Sequence, residues 1–262
     1  MNGSDQKNPG VGSSIALPEG LYDVVGRGRM GAALAESLRT SGVHVRGPLG
    51  RGADARGATV VLLCVPDREI AAASAALSPE VLVGHVSASA DLALLEPHER
   101  FAMHPLMSVV GAGASFRGAV CAVDGSTPRA LAVAQILAST LGMKPRVIPR
   151  ELRALYHAAA SSASNFITTV QGMAEVLAAH VGLDRNALVP LVQATLDNWA
   201  SRGARDALTG PIARGDAETV QRQRSAVAAA APQLLPLWDA LATATRELAH
   251  SSRATPPQPE PQ

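Results

Sequence analysis

The 262 residues are enough for one large domain or two ordinary ones, each with its own core. A net charge of +1, from 23 basic and 22 acidic side chains with no long block of either sign, points away from nucleic acid and anionic membranes as partners. No apolar run reaches bilayer length and the first residues lack a signal core; Cys64 and Cys121 lie far apart without metal-ligand spacing, so a cytoplasmic, metal-free protein with buried thiols is expected.

Residues 1–20 are polar and Gly/Ser-rich and read as a disordered leader. An apolar strand from Leu21 to Val25 then stops at Gly26, Gly28 and Gly31, spaced G-x-G-x-x-G, and an amphipathic run from Ala32 to Leu38 follows at once. Strand, tight turn and helix in that order are the context of a dinucleotide-binding turn. Gly26 would allow the sharp turn, Gly28 the approach of a pyrophosphate, and Gly31 the packing of helix on strand. Cofactor contacts are therefore expected from Gly26, Arg27, Gly28, Arg29, Met30 and Gly31. A second strand, Val43 to Arg46, has no acid at its end to grip a ribose 2′-hydroxyl. Arg46 and Arg51 stand there instead, with Arg27 and Arg29 nearby, which favours NADP over NAD.

Thr59 to Val65 is a continuous apolar run, as in a strand buried on both faces of a parallel sheet. It leads into Val65-Pro66-Asp67, a carboxyl strand end where a cofactor would lie, although Asp67 would serve equally as an N-cap for a helix from Arg68 to Leu77. Further strands are expected from Val81 to Val86, reaching Ser87 as another cofactor contact, and from Phe101 to Met103, reaching His104. Then come a strand from Ala119 to Val123, a helix from Pro128 to Leu141 and a last strand from Pro145 to Ile148. The alternation predicts an α/β class: a doubly wound parallel sheet over residues 21–149.

From Arg150 the pattern is helical, with runs over 151–181, 184–199, 216–231 and 233–250 and a break near Ser161–Ser164 or Gly172. Asp184 and Asp216 are expected N-caps and Gly182 a C-cap. An all-α domain over residues 150–250 follows, then a disordered tail over 251–262.

His157, Ser161 and Asn165 follow i, i+4, i+8 on the first of these helices and share one face. On an alanine-rich helix beside a dinucleotide domain they would floor an active site, with His157 giving a proton and Asn165 holding substrate or nicotinamide. The same groups would serve equally as hydrogen bonds within a helical core. His104, extended before Pro105, is the second candidate, whereas His85 within a strand reads as a satisfied core histidine. Arg214, in the loop from Leu208 to Asp216, would clamp a substrate carboxylate or serve a subunit contact.

The glycine turn, Cys64-Val65-Pro66-Asp67, His104-Pro105-Leu106, the stripe from His157 to Asn165, and Thr209-Gly210-Pro211 through Arg214-Gly215-Asp216 occur in one order. Together, over roughly residues 21–250, they resemble the two-domain Rossmann-like proteins whose C-terminal part is a domain of unknown function. These are related to β-hydroxyacid dehydrogenases, pyrroline-5-carboxylate reductase and ketopantoate reductase, in the 6-phosphogluconate dehydrogenase C-terminal-like superfamily. The resemblance implies an NADP-dependent oxidoreductase acting on a small-molecule substrate, and a homodimer formed through the helical domain. It favours ketopantoate among 2-oxo acids, with a cyclic imine reductase and a non-catalytic NADP-binding sensor or assembly protein as alternatives. One position departs from the relatives: Ser161 stands where they carry a catalytic lysine, four residues before Asn165.

Overall fold

The computed structural model describes residues 17–251. Most of the expected leader and tail, residues 1–16 and 252–262, lies outside the described residues. β1 (Leu21–Val25), β2 (Val45–Leu49), β3 (Ala58–Leu63), β4 (Leu82–His85), β5 (Arg100–Pro105), β6 (Val120–Gly125) and β7 (Lys144–Val147) make one sheet in the order β2-β1-β3-β4-β5-β6-β7. The order turns back at β1, which pairs with β2 on one side and β3 on the other, and the glycine turn leaves β1 at that switch point.

The alternating pattern predicts a wholly parallel sheet, and one pair departs from it. β5 and β6 run antiparallel, with Ala102 opposite Asp124 and His104 opposite Ala122. A parallel return needs a crossover, usually a helix, and none forms between β5 and β6. β2 starts later than expected and continues through Gly47 and Pro48, a proline tolerated because β2 is an edge strand.

Helices cover both faces, which explains the unbroken apolar run of β3. Ala33, Leu34 and Leu38 of α1 (Arg29–Thr40) and Val133 and Leu137 of α3 (Pro128–Thr140) pack with Val24, Leu62 and Phe101. On the other face, Ile70 of α2 (Ile70–Ala75), with Leu77 and Leu95, packs with Val61, Leu63 and Val83. These side chains are at most 7% exposed, and each buried leucine or valine contributes roughly 1.5–3 kcal/mol.

The chain divides into two compact units after Ser164, later than the change of texture at Pro149 suggests. The reason is α4 (Arg153–Ser161), which is tied to the sheet: Arg153 pairs with Asp124, Tyr156 meets His104, and just before the helix Arg150 pairs with Asp91. The foreseen break is a π-helical turn, Ser162–Phe166, a feature frequent near functional sites.

The second unit holds α5 (Ile167–Ala179), α6 (Arg185–Arg202), α7 (Ala204–Ala207), α8 (Ala217–Ala230) and α9 (Leu235–His250). Asp184 and Asp216 cap α6 and α8 as expected, accepting from the N–H groups of Ala187 and Thr219. Arg224 joins α8 to α9 through a two-pronged bond to Asp239, 2.8 Å on each prong. α6 buries none of its 18 residues, although it carries Val189, Leu191, Leu196 and Trp199.

Candidate functional site

The three glycines of the turn are required for different reasons. Gly26 has φ +122°, and a Cβ there would lie 2.2 Å from the Cys64 carbonyl oxygen. A Cβ on Gly31 would lie 1.9 Å from the Gly26 oxygen. The protein's own backbone therefore demands both. Gly28 has an ordinary φ of −74°, and a Cβ there would meet nothing within 4 Å. A glycine that the fold does not need suits something outside the chain. No side chain caps α1 and no acid stands in its first turn, so its N-terminus suits an anion. The turn thus fits a pyrophosphate.

Arg46, expected near a 2′-phosphate, is engaged elsewhere. Its Nε and one terminal nitrogen donate to the two oxygens of Asp23 at 2.8 and 2.6 Å, and it also reaches the Arg56 carbonyl. Asp23 is fully buried in β1, where an ionised carboxylate needs a partner, and the register sets it beside Arg46. The bond to Asp23 in turn raises the pKa of Arg46. Arg51 donates to Glu69 at 2.8 Å but is 83% exposed, so that pair is weak and open to exchange. The Arg27 guanidinium lies against Gly50, whose Cβ would be 3.3 Å from its central carbon. Arg27 and Arg51 therefore stand near the end of β2, with Arg29 exposed at the start of α1 and Met30 half-buried against the core.

At the end of β3, Val65 packs on the core and Pro66, not Asp67, precedes the 3-10 turn. Asp67 caps nothing there. Its carboxylate accepts hydrogen bonds from the hydroxyls of Ser87 and Ser89, at 2.7 and 3.2 Å. The Ser87 oxygen also accepts from the N–H groups of Ser89 and Ala90, so its hydrogen and both lone pairs are engaged. Ser87 thus braces the loop after β4, and its hydroxyl serves that bracing. His85 is fully buried as expected, yet only half satisfied: Nδ1 accepts from the Ser87 N–H while Nε2 has no partner. Burial pushes its pKa down to about 4.

His104, next to last in β5, lies beside a small niche of about 10 Å³, room for about one water molecule. Ser87, Ala102, Asp124, Arg153 and Tyr156 line it too. His104 Nδ1 lies 2.9 Å from the Tyr156 hydroxyl, and the two rings meet edge to face. Burial, followed by the influence of His157, pushes the His104 pKa down to about 4, so the ring is neutral near pH 7. Burial likewise pushes the Tyr156 phenol up to about 12.

Of the residues expected to act on substrate, His104 is in the niche and His157 is beside it, exposed, with ring centroids 6.3 Å apart. Ser161 is half-buried at the end of α4. Asn165 and Arg214 are exposed residues of the helical unit. Tyr156, Arg153 and Asp124 were not singled out from sequence. The available signal was Arg153 and Tyr156 at i, i+3, which places them on one helix face just after the last strand. Among the described residues no group of His, Cys, Asp and Glu is placed to hold a metal, no helix is long and apolar enough to cross a membrane, and both cysteines are unpaired and buried.

A mainly parallel sheet wound on both faces, with a glycine turn at its switch point and a helical unit after it, is a Rossmann-type α/β fold with a helical domain. Residues 119–245 match the family model of DUF2520, a domain of unknown function. Solved structures share the architecture. A Bacteroides fragilis protein provisionally named an NADP oxidoreductase has TM-score 0.77 at 19% identity, over 87% of this chain and 98% of that one. A reductive aminase of Aspergillus terreus, solved with NADPH4, cyclohexanone and allyl amine, has TM-score 0.60 at 17% identity, over 88% and 95%. The NADP-bound pyrroline carboxylate reductase of Plasmodium falciparum has TM-score 0.54 at 10% identity, over 89% and 100%. At these identities the likeness is one of fold. No curated protein matches the sequence.

Proposed function

We propose that the protein is an NADP-dependent oxidoreductase that reduces a small carbonyl or imine compound. The observation that carries this reading is Gly28, a glycine required by no contact of the fold, at the switch point of a sheet whose β5 brings His104 to Tyr156. The glycine turn and the start of α1 would hold the pyrophosphate, and Arg27 and Arg51 the 2′-phosphate. The lack of an acid at the end of β2 supports NADP over NAD. NADPH, when bound, supplies the electron pair and hydrogen of the reduction.

The substrate reading is a 2-oxo acid, with ketopantoate as the first compound to test. Arg214 is the candidate clamp for its carboxylate, since Arg153 at the niche is already paired with Asp124. A cyclic imine is the second reading, favoured by Ser161 at the lysine position: a protonated imine is already electrophilic and needs less help from an ammonium donor. NADPH oxidation followed at 340 nm across 2-oxo acids and cyclic imines tests both. Tight NADPH binding without turnover on any of them would leave a sensor or assembly role.

The homodimer belongs to the same proposal. Leu191 and Trp199, 68% and 56% exposed on α6, support association of a second copy through the helical unit. Unpaired Cys64 and Cys121 support a reducing compartment such as the cytoplasm.

A further inference from the structure

We infer that Tyr156, rather than His104 or His157, gives the proton to the reduced heteroatom, with His104 as its positioning residue; this rests on the reductase reading above. Tyr156 Oη makes two contacts with one residue, the His104 ring Nδ1 at 2.9 Å and its main-chain oxygen at 3.4 Å. A carbonyl oxygen only accepts. The single phenol hydrogen therefore points toward it, and the ring nitrogen supplies the hydrogen of the shorter bond. Serving both contacts at once calls for the Nδ1–H tautomer of His104. The phenol hydrogen is left in a long, weak bond and is the one free to be redirected to a ligand.

Tyr156 and His104 both line the niche, together with Ala102 and Ala122, whereas His157 is not part of that lining. A buried, neutral His104 has no surplus proton to give near pH 7, while a phenol keeps its proton until a strong base appears. An alkoxide, or the nitrogen anion left when an unprotonated imine is reduced, is such a base; an imine that arrives protonated needs no donor. With a bound dinucleotide supplying hydrogen and an electron pair to the carbon of a C=O or unprotonated C=N bond, the π pair would move to the heteroatom. The Oη–H bond then breaks and its proton goes to that heteroatom. The phenolate, held by Nδ1–H, is reprotonated from solvent water.

Two measurements test this. In the ¹⁵N-labelled protein, His104, assigned by the loss of its signal in His104→Gln, is expected as the Nδ1–H tautomer; the Nε2–H tautomer would overturn the inference without any substrate. In steady-state kinetics, Tyr156→Phe is expected to lower kcat by about 100-fold or more, the scale of general-acid catalysis, while NADPH affinity and KM move by less than about threefold. A kcat that survives the substitution removes Tyr156 as donor and leaves the reductase reading standing. Absence of wild-type turnover on every carbonyl and imine removes both.

Discussion

Replacing Gly28 by alanine separates a glycine kept for a ligand from one kept for the fold. The added methyl would meet no protein atom within 4 Å, and the backbone there already has φ −74°. Loss of glycine entropy in the unfolded chain stabilises by roughly 0.4–1 kcal/mol. Alanine is a poorer N-cap than glycine by a similar amount, on the order of 0.5–1 kcal/mol. The two nearly cancel, so the melting temperature should move by no more than about 2–4 °C, the scale of 1 kcal/mol in a chain of this size. NADPH affinity, measured by calorimetry, should fall by about tenfold or more, or 1.4 kcal/mol, because the methyl occupies the side from which the pyrophosphate approaches. Gly31→Ala should behave in the opposite way. Its Cβ would sit 1.9 Å from a backbone oxygen, and the overpacking should cost about 1–3 kcal/mol of stability. Unchanged NADPH affinity in Gly28→Ala would refute the assignment of the turn, whatever Gly31→Ala does.

Three further outcomes are expected. Arg46→Ala should destabilise by about 3 kcal/mol in urea titration, the low end for an orphaned buried carboxylate because Arg46 itself is 43% exposed, while Arg27→Ala should leave stability alone and narrow the preference for NADPH over NADH. Stability should decline as pH falls from about 6.5 toward about 4: His85 and His104 stay neutral when folded, with pKa values near 4, whereas in the unfolded chain they bind protons below about 6.5. Denaturant midpoints across that range check this, and His104→Asn should flatten part of the decline. Trp199→Asp should shift the light-scattering mass toward that of one chain, with the helical content by circular dichroism retained.

The strands and helices were legible because their signals are local. β3 reads as buried on both faces because it is, and Asp184 and Asp216 read as caps because a cap needs only residues three positions away. What escaped the sequence depends on residues far apart in the chain. Asp23 and Arg46 are 23 positions apart and His104 and Tyr156 are 52 apart, and only the sheet register and the docking of α4 bring them together. The same cause explains the antiparallel β6 and the late division of the chain. No local pattern announces a missing crossover, and α4 looks like the helices after it while its contacts belong to the sheet. Arg46 shows the limit most plainly: its position suits a phosphate, but the carboxylate that claims it lies in another strand.

The β1–β2 clamp also sets a rule for anyone redesigning cofactor preference. An acid placed within the second strand at position 46 would set a new carboxylate directly against buried Asp23 and remove the arginine that partners it, so the strand itself is a poor place to change charge. Charge at positions 27 and 51 is not so tied. If Arg27 and Arg51 hold the 2′-phosphate as proposed, exchange of one nucleotide for the other is a matter for the loops around Gly50, with the strand beneath left as it is.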